Sequence, residues 1–507
     1  MADNLMLLLK GFGVALSPYN LFACIVGGIM GIIVGAVPGI GAVSGCALLL
    51  PITYNMDPTA AIIMLAGIYY GNMFGGAYSA ILINIPGDSP AVVTALEGYP
   101  LTKKGLAGKA LFTANFASFI GGTISIILLT ALGPFLARFA LKFGPVEMAS
   151  LIFMSLTSIG WLLGDDPLKG IAATGIGVMI STIGMDASSA NFRYTFGSTN
   201  LLSGISFVPL VIGLFGFSQV MKMMSDDKVD NEAVKYVGKL RLRDSVLSKK
   251  EMLALLPTCI RASLLGEFIG FLPGAGGTTA SFLSYMMERK INKNRDRMDG
   301  KQGSFEGICA SESANNAAAG AAFAPLLTFG IPGSSTTAVL LGGLLAWGLK
   351  PGPLLFQNEP DFVWGLISSM YIGNVLCLIC GLLCIPLLMK FLRIQGNVMA
   401  PIIIVICIVG AYATNNSMFD VWVMLTAGVF SYYLQKKGFP VAPLVLGFVL
   451  APLFEMKVRQ SLEISNCDLT VFLSHPISLF FLLLAFVLIT TPAVLNLMKK
   501  VKERRAT

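Results

Sequence analysis

Long apolar runs separated by short polar segments recur along the whole chain. Many of these runs reach about 20 residues, the length of α-helix that crosses the hydrocarbon core of a bilayer. The strands of a membrane β-barrel would instead be shorter and would alternate between apolar and polar positions. The pattern predicts an all-α polytopic membrane protein, with spans near residues 110–133, 146–163, 168–186, 203–221, 362–388, 398–414, 418–434, 440–455 and 477–497.

Four Pro-Gly pairs interrupt the remaining apolar segments: Pro38-Gly39, Pro86-Gly87, Pro273-Gly274 and Pro332-Gly333. Proline removes a backbone donor and cannot continue a helix. Backbone groups left unpaired at membrane depth have to face protein or a water-filled cavity. We therefore expect each pair to form the tip of a re-entrant, broken-helix hairpin. For residues 252–287, two full crossings are the alternative.

Composition supports a membrane protein. Of the 507 residues, 55% are hydrophobic and only 12% are charged, whereas soluble domains average roughly 25% charged residues. The mean hydropathy is +0.77. The net charge of +8 arises largely from short basic loops, which is typical of cytoplasmic loops rather than of a nucleic-acid-binding surface.

Two motifs recur in the same order. The segment 35–41, GAVPGIG, resembles the segment 270–276, GFLPGAG, and Ile85-Pro86-Gly87 matches Ile331-Pro332-Gly333. The two matches lie at similar offsets along the chain, and the difference between the offsets is close to the length of the polar insertion 289–301. The chain is therefore interpreted as an N-terminal segment 1–20, a membrane repeat 21–224, a cytoplasmic linker 225–251, a second membrane repeat 252–498 and a cytoplasmic tail 499–507.

Basic residues predict the orientation of the repeats. Lysine and arginine cluster in the linker, in residues 289–301 and in the tail, and the positive-inside rule places all three in the cytoplasm. The first repeat then enters from outside and the second from inside. Such inverted-topology repeats occur in many secondary transporters. Lys457 and Arg459 fall on the outer side in this arrangement, contrary to the rule.

The hairpin tips are the candidate site. Helix N-termini that begin after a break carry free N–H groups that attract anions, and unwound carbonyls supply oxygen ligands for cations. The candidate substrate-binding residues are Pro38, Gly39, Asn84, Pro86, Gly87, Pro273, Gly274, Thr278, Thr279, Asn315, Asn316, Pro332, Gly333, Ser334 and Ser335. The candidate cation-binding residues are Asn72, Asp88 and Glu312. For each of these side chains, capping or close helix packing is the alternative role.

Other polar residues point to structure rather than chemistry. Arg261 lies near the third break and either meets an anionic substrate or extends to the membrane interface. Cys377, Cys380 and Cys384 share a helical face but have no histidine nearby, which favours packing over a metal site. His475 is the single histidine and lies in a polar loop. No catalytic residue and no cofactor is predicted.

Several motifs resemble one transporter family. Residues 69–76 (YYGNMFGG), 81–87 (ILINIPG), 97–100 (EGYP) and 104–108 (KGLAG) are similar to the large membrane subunit of the tripartite tricarboxylate transporters. So are residues 270–276, 312–320 (ESANNAAAG), 330–334 (GIPGS) and 348–353 (GLKPGP). The resemblance covers nearly the whole chain. Glu97, Ser311 and Trp347 depart from the family pattern, which has Asp, Pro and His there.

The resemblance implies a cation-coupled importer, usually sodium-coupled, for carboxylates such as citrate. It also implies a small membrane subunit and a periplasmic solute-binding protein as partners, and a location in the bacterial inner membrane. The alternatives are a carrier of another carboxylate class, an ion channel, or a membrane-embedded enzyme. An enzyme would need paired carboxylates or a serine with a lysine or histidine base at membrane depth, and the apolar segments offer only scattered acids.

Overall fold

The computed structural model of the chain describes residues 2–37, 39–162, 167–186, 189–225, 246–274, 276–292, 294, 298–383 and 396–490. The predictions for Pro38, for Cys384 and for the tail 499–507 lie outside these residues, as does most of the predicted linker.

The first half of the chain is helical. Its helices are α1 (Ala2–Ala15), α2 (Pro18–Ala36), α3 (Gly41–Leu49), α4 (Pro58–Ile83), α5 (Val92–Lys103), α6 (Ala107–Ala140), α7 (Pro145–Leu162), α8 (Pro167–Ser181) and α9 (Phe207–Ser225). A π-helical turn, Ile212–Phe217, interrupts α9. Two short strands, β1 (Gly184–Met185) and β2 (Phe192–Arg193), form an antiparallel pair between α8 and α9.

The second half is also helical. Its helices are α10 (Lys249–Phe271), α11 (Gly276–Ile291), α12 (Phe305–Ala321), α13 (Phe323–Phe329), α14 (Ser335–Ala346), α15 (Leu355–Asn358), α16 (Pro360–Leu383), α17 (Gly396–Asn415), α18 (Met418–Lys436), α19 (Ala442–Ile464), α20 (Val471–Ser474) and α21 (Pro476–Thr490).

Six helices of the described residues are long and apolar enough to cross a membrane. They are α2, α4, α6, α9, α10 and α16. Together with the nearly complete absence of strands in the described part of the chain, they confirm the predicted all-α polytopic class. The helices break at each of the four Pro-Gly pairs: α2, α4, α10 and α13 end before them, and α3, α5, α11 and α14 begin after them.

Glycines allow the helices of each half to pack closely. A Cβ added at Gly31 of α2 would lie 2.8 Å from the Ile68 Cα of α4. A Cβ at Gly266 of α10 would lie 2.8 Å from the Ala314 Cα of α12. The residues of these two contacts are related by the same offsets as the repeated motifs. Small residues let membrane helices approach through dispersion contacts where lipid offers no hydrophobic driving force.

Loops that were predicted to share a membrane face lie together. At one end, Lys109 pairs with Glu251 at 2.8 Å and the Lys104 ammonium donates to the Gln302 carbonyl at 2.6 Å. The inverted orientation of the repeats relative to the membrane stays a prediction.

Arg459, which the predicted topology places on the outer side against the positive-inside rule, has acidic partners. Arg459 lies in α19, which continues beyond the predicted span end at 455. It pairs with Asp186 at 2.7 Å and with Glu455 at 2.6 Å. Arg193 of β2 pairs with the same Asp186 at 2.8 Å. These contacts give Arg459 a structural role, independent of the charge bias that governs loops.

Candidate functional site

The four helix breaks meet as two pairs. The Gly39 N–H donates to the Gly87 carbonyl at 3.3 Å, and the Gly274 N–H donates to the Gly333 carbonyl at 3.1 Å. Both bonds connect the first break of a half with its second break, and their residues are again related by the motif offsets. We refer to residues 37 and 39–41 with 84–89 as the first tip pair, and to residues 272–274 and 276 with 330–334 as the second tip pair.

The chain leaves and re-enters helix in the same way at both pairs. Asn84 ends α4 with φ 58° and Gly330 ends α13 with φ 69°, so both residues are left-handed C-caps. Glycine and asparagine adopt this conformation at low cost. Asp88 then caps a short 3₁₀ turn, Ser89–Ala91, that leads into α5. Ser334, its counterpart in the second half by the offset that relates Pro86 to Pro332, caps α14.

Asp88 holds the first tip pair together. Its carboxylate accepts from the Ala42 N–H at 3.0 Å, from the Ser89 N–H at 2.7 Å and from the Asn72 amide at 2.8 Å. Ala42 lies in the first turn of α3, so the carboxylate occupies the positive end of that helix. Asn72 is fully buried, and its Oδ1 has no hydrogen-bond partner in the described residues. A carboxylate of the chain itself therefore already neutralises the α3 N-terminus.

Ser334 holds the equivalent position in the second tip pair. Its side chain and that of Thr337 form a capping box at the start of α14, with the Thr337 N–H donating to Ser334 Oγ at 3.2 Å. The Tyr69 and Ser334 hydroxyls lie 3.0 Å apart, which connects the first half of the chain with the second. A Cβ at Gly276, the first residue of α11, would lie 3.9 Å from the Ser334 Cβ. A neutral, smaller side chain thus stands at the positive end of α11, where the first half has Asp88.

The first turn of α11 is accessible. Thr278 and Thr279 are half-buried. Gly277 faces Asn315 of α12 and Pro90 of the first half, because a Cβ there would lie 3.5 Å from the Asn315 Cβ and 3.4 Å from the Pro90 Cγ. This turn therefore lies where the two halves meet, with N–H groups and hydroxyls available to a ligand.

Glu312 of α12 is fully buried, one turn before Asn315 in the same helix. Its carboxylate accepts from Thr94 of α5, from Ser118 of α6 at 3.3 Å and from Asn315 at 3.3 Å. Asn316 donates to the Asn315 side-chain oxygen at 2.7 Å. The predicted cation ligand Glu312 and the predicted substrate residues Asn315 and Asn316 thus form one connected network.

The other predicted residues are placed as follows. Gly87, Pro273, Gly274, Pro332 and Gly333 are buried in the two tip pairs. Ser335 and Pro86 are half-buried, whereas Gly39 and Asn84 are exposed on the first tip pair. The backbone thus brings the predicted proline, glycine and capping residues to two tip pairs. The other predicted residues lie on adjacent helices, namely Asn72 on α4, Thr278 and Thr279 on α11, Glu312, Asn315 and Asn316 on α12, and Ser335 on α14. The Tyr69–Ser334 contact joins the first half of the chain to the second tip pair.

Sequence reasoning missed four polar residues, two that contact the tips and two that donate to Glu312. They are Tyr69, Thr94, Ser118 and Ser158; the Ser158 hydroxyl donates to the Pro273 carbonyl at 3.0 Å. Tyr69 corresponds to Asn315 by the same offset that relates Pro86 to Pro332, so the predicted internal repeat contained a signal for it. Nothing in the local pattern distinguishes Ser158 or Ser118 from other serines of apolar helices.

Two residues considered earlier have structural partners. The Arg261 guanidinium forms an ion pair with Glu288 of α11 at 2.8 Å. The His475 Nδ1 lies 2.6 Å from a carboxylate oxygen of Glu147. Arg261 therefore connects α10 with α11, the two helices that flank the third break.

One family model and two uncharacterized relatives match this chain. The model of the family described as "Tripartite tricarboxylate transporter TctA family" matches residues 21–446. An Agrobacterium vitis protein described as "Uncharacterized 52.8 kDa protein in TAR-I ttuC' 3'region" is 40% identical over 478 residues, covering 94% of each chain. A second protein of that organism, "Uncharacterized protein in TAR-II ttuC' 3'region", is 40% identical over 240 residues, covering 47% of this chain and 97% of the relative. No solved structure was found to match.

Proposed function

Because this chain belongs to the tripartite tricarboxylate transporter TctA family, a family of transporter components rather than enzymes, we propose that it forms the transport pathway of a cation-coupled importer for a tricarboxylate or a related organic acid anion. The substrate carboxylate binds at the N-terminus of α11, in the second tip pair. Gly274, Thr278, Thr279, Asn315 and Ser334 surround it.

The difference between Asp88 and Ser334 carries this proposal. Asp88 places a carboxylate on the α3 N-terminus through the Ala42 N–H at 3.0 Å. The first half therefore shows what kind of group this backbone geometry accepts. In the second half the equivalent position is Ser334, which leaves the α11 N-terminus without that internal anion. Helix N-termini bind carboxylates through free N–H groups and the helix dipole.

Such a site also suits the energetics of transport. A carboxylate that enters the membrane loses its hydration, and an isolated buried charge is costly. Backbone N–H groups and the Thr278 and Thr279 hydroxyls replace that hydration without a fixed positive side chain. Binding therefore stays weak enough for release, which a carrier requires.

Cation coupling, partners and location complete the proposal. Sodium takes oxygen ligands, which Asn72, Asp88, Glu312 and the tip carbonyls offer. A small membrane subunit and a periplasmic solute-binding protein assist, and the assembly lies in the bacterial inner membrane. The motif resemblance and the family match support these points. The choice of sodium as the cation and of citrate as the test substrate rests on the resemblance alone.

Ser334→Asp is the sharpest test of the site. Aspartate is as good an N-cap as serine, so α14 should still begin there. Its carboxylate would occupy the α11 N-terminus as Asp88 occupies that of α3, and would compete with the substrate. We expect counterflow of labelled citrate in proteoliposomes, with both partner subunits present, to fall at least about tenfold, since about 1.4 kcal/mol of lost binding energy suffices for that.

Ser417→Asp is the matched control, because Ser417 is the N-cap of α18 and belongs to neither tip pair. Normal counterflow by Ser334→Asp would remove the α11 N-terminus from the substrate site. If the unmodified protein shows no counterflow of citrate but does exchange another carboxylate, the alternative of a carrier for another carboxylate class would be supported. Uptake that depends neither on a sodium gradient nor on the binding protein would contradict the coupled, tripartite mechanism.

A further inference from the structure

A second polar pair lies outside the tip pairs. Glu267 is in α10, just over one helical turn before the second tip pair. Its Oε2 is buried and has no hydrogen-bond partner among the described residues. It faces the hydroxyl of Ser125 in α6. The Ser125 side chain is fully buried, and its hydroxyl also lacks a partner in the described part of the chain.

Close packing fixes this pair between three helices. Gly266 of α10 contacts the Ala314 backbone of α12, and a Cβ at Gly320 of α12 would lie 2.9 Å from the Ser125 Cβ. Serines inside helices commonly donate to the carbonyl four residues earlier, as Ser155 does to Leu151 at 2.8 Å. Ser125 makes no such bond. Its hydroxyl is therefore available to the carboxyl group opposite.

Charged groups of the surrounding helices are engaged elsewhere. Arg261 pairs with Glu288, and Lys109 of α6 pairs with Glu251. Glu312 of α12 accepts from Thr94, Ser118 and Asn315. The remaining charged residues of α6, α11 and α12 lie near the helix ends: Arg138, Arg289, Lys290 and Glu306. Glu267 thus has a hydroxyl opposite it and no cation of these helices beside it.

An ionised carboxylate with an orphan oxygen is expensive at membrane depth. A carboxylate and one hydroxyl are too few oxygen ligands for a metal cation of the sodium or calcium type, which takes about six. The Ser125 hydroxyl can donate to one carboxylate oxygen, but this leaves the negative charge in place. One added proton removes that charge, and the neutral carboxyl group can still share a hydrogen bond with Ser125 Oγ. Ionisable residues inside membrane segments serve as proton relays in many pumps and transporters.

We propose that Glu267 is a proton-carrying site of the transport cycle. The carboxylate takes up one proton from water on one side and becomes a carboxylic acid bonded to Ser125. It returns that proton to water on the other side, and no other bond changes. The Glu267 site is linked to the second tip pair because α10, which carries Glu267, ends at that pair. The Gly270 carbonyl of α10 also lies close to Gly333, since a Cβ at Gly333 would be 2.9 Å from it. This inference rests on the proposed function.

Infrared spectroscopy of the reconstituted protein tests protonation without any substrate. Difference spectra between mildly acidic and mildly alkaline pH should show the carbonyl stretch of a titrating carboxylic acid. Glu267→Gln should remove that band, and Ser125→Ala should shift its frequency because the hydrogen bond is lost. Glu359→Gln is the control, since Glu359 is exposed between α15 and α16. A spectrum unchanged by Glu267→Gln overturns the proposal.

Transport then tests the role in coupling. Gradient-driven uptake by the unmodified complex should depend on pH, and Glu267→Gln should abolish that dependence, while Glu359→Gln keeps it. Retained pH dependence in Glu267→Gln also overturns the inference, and leaves the substrate site at α11 untouched. Loss of counterflow in Ser334→Asp, by contrast, reports on the substrate site alone. The two proposals therefore fail separately.

Discussion

The Gly274 N–H and the Gly333 carbonyl are joined by a hydrogen bond of 3.1 Å that ties the two helix breaks of the second half into one tip pair. The same bond occurs between Gly39 and Gly87 at 3.3 Å. Both carbonyl residues have to be glycine for steric reasons. A Cβ at Gly333 would lie 2.9 Å from the Ala322 Cα, and one at Gly87 would lie 2.8 Å from the Gly76 Cα.

Gly333→Ala should therefore separate the second tip pair. Overpacking of this kind costs about 1–3 kcal/mol, and the displaced tip should lower uptake as well as the Tm of the purified protein. Gly13→Ala in α1 is the control, because a Cβ there meets nothing within 4 Å. A Gly333→Ala protein with normal uptake would show that the transport pathway tolerates a shifted tip.

Tyr69→Phe should weaken the contact between the two halves. The variant removes the hydroxyl that lies 3.0 Å from Ser334 Oγ and keeps the aromatic ring that packs on Phe323. One such bond contributes about 0.5–1.5 kcal/mol, so we expect a several-fold rise in KM for uptake with little change in Tm. Tyr432→Phe, which loses a bond to Ser225, is the control for removing a hydroxyl elsewhere.

Glu312→Gln should change the ion dependence of uptake. The fully buried carboxylate of Glu312 accepts from three donors and is a predicted cation ligand. An amide keeps the shape but loses the negative charge, so the sodium concentration for half-maximal uptake should rise about tenfold, which corresponds to about 1.4 kcal/mol. Glu306→Gln, near the start of the same helix, is the control.

An unchanged sodium dependence in a folded Glu312→Gln protein would assign Glu312 a purely structural role. In that case Glu312→Ala should still lower the Tm, because it leaves the Thr94, Ser118 and Asn315 donors unsatisfied in a buried site.

Cys467 tests the predicted orientation with a native residue. It is exposed between α19 and α20, in a segment that the inverted-repeat prediction places outside. A membrane-impermeant maleimide should therefore label it in intact spheroplasts, and Cys467→Ser should lose the label. Lys104→Cys in that background should react only after permeabilisation, since Lys104 is predicted to face the cytoplasm. The reverse accessibility would invert the whole arrangement.

Much of the fold was open to prediction because its signals are local. Bilayer thickness sets the length of apolar runs, and proline and glycine end helices wherever they stand. The helices that flank Pro86 and Pro332 accordingly begin and end close to the predicted breaks. The continuation of α19 beyond the predicted span end at 455 was not predictable, since it accompanies an ion pair between Arg459 and Asp186, which is distant in sequence.

The candidate site divides in the same way. Its residues could be named from the breaks and from the hydroxyls that follow them, as with Ser334 and Thr278. The roles of these residues could not be predicted, because each role depends on which side chains or backbone groups the folded chain places next to the residue. Asp88 could have bound a cation, but the structure places it on the Ala42, Ser89 and Asn72 donors. Its contribution to a cation site stays a prediction.

By itself, the sequence determined that the chain is a helical membrane protein whose helices break at the Pro-Gly pairs, since hydropathy and proline act through neighbouring residues. The duplicated organisation that the motif offsets indicate stays a prediction. Tertiary structure alone decided that the breaks pair through Gly39 with Gly87 and Gly274 with Gly333, that Tyr69 contacts Ser334, and that Glu267 faces Ser125. The physical reason is that hydrogen bonds and close packing join residues distant in sequence, whose partners are fixed only when the helices have packed.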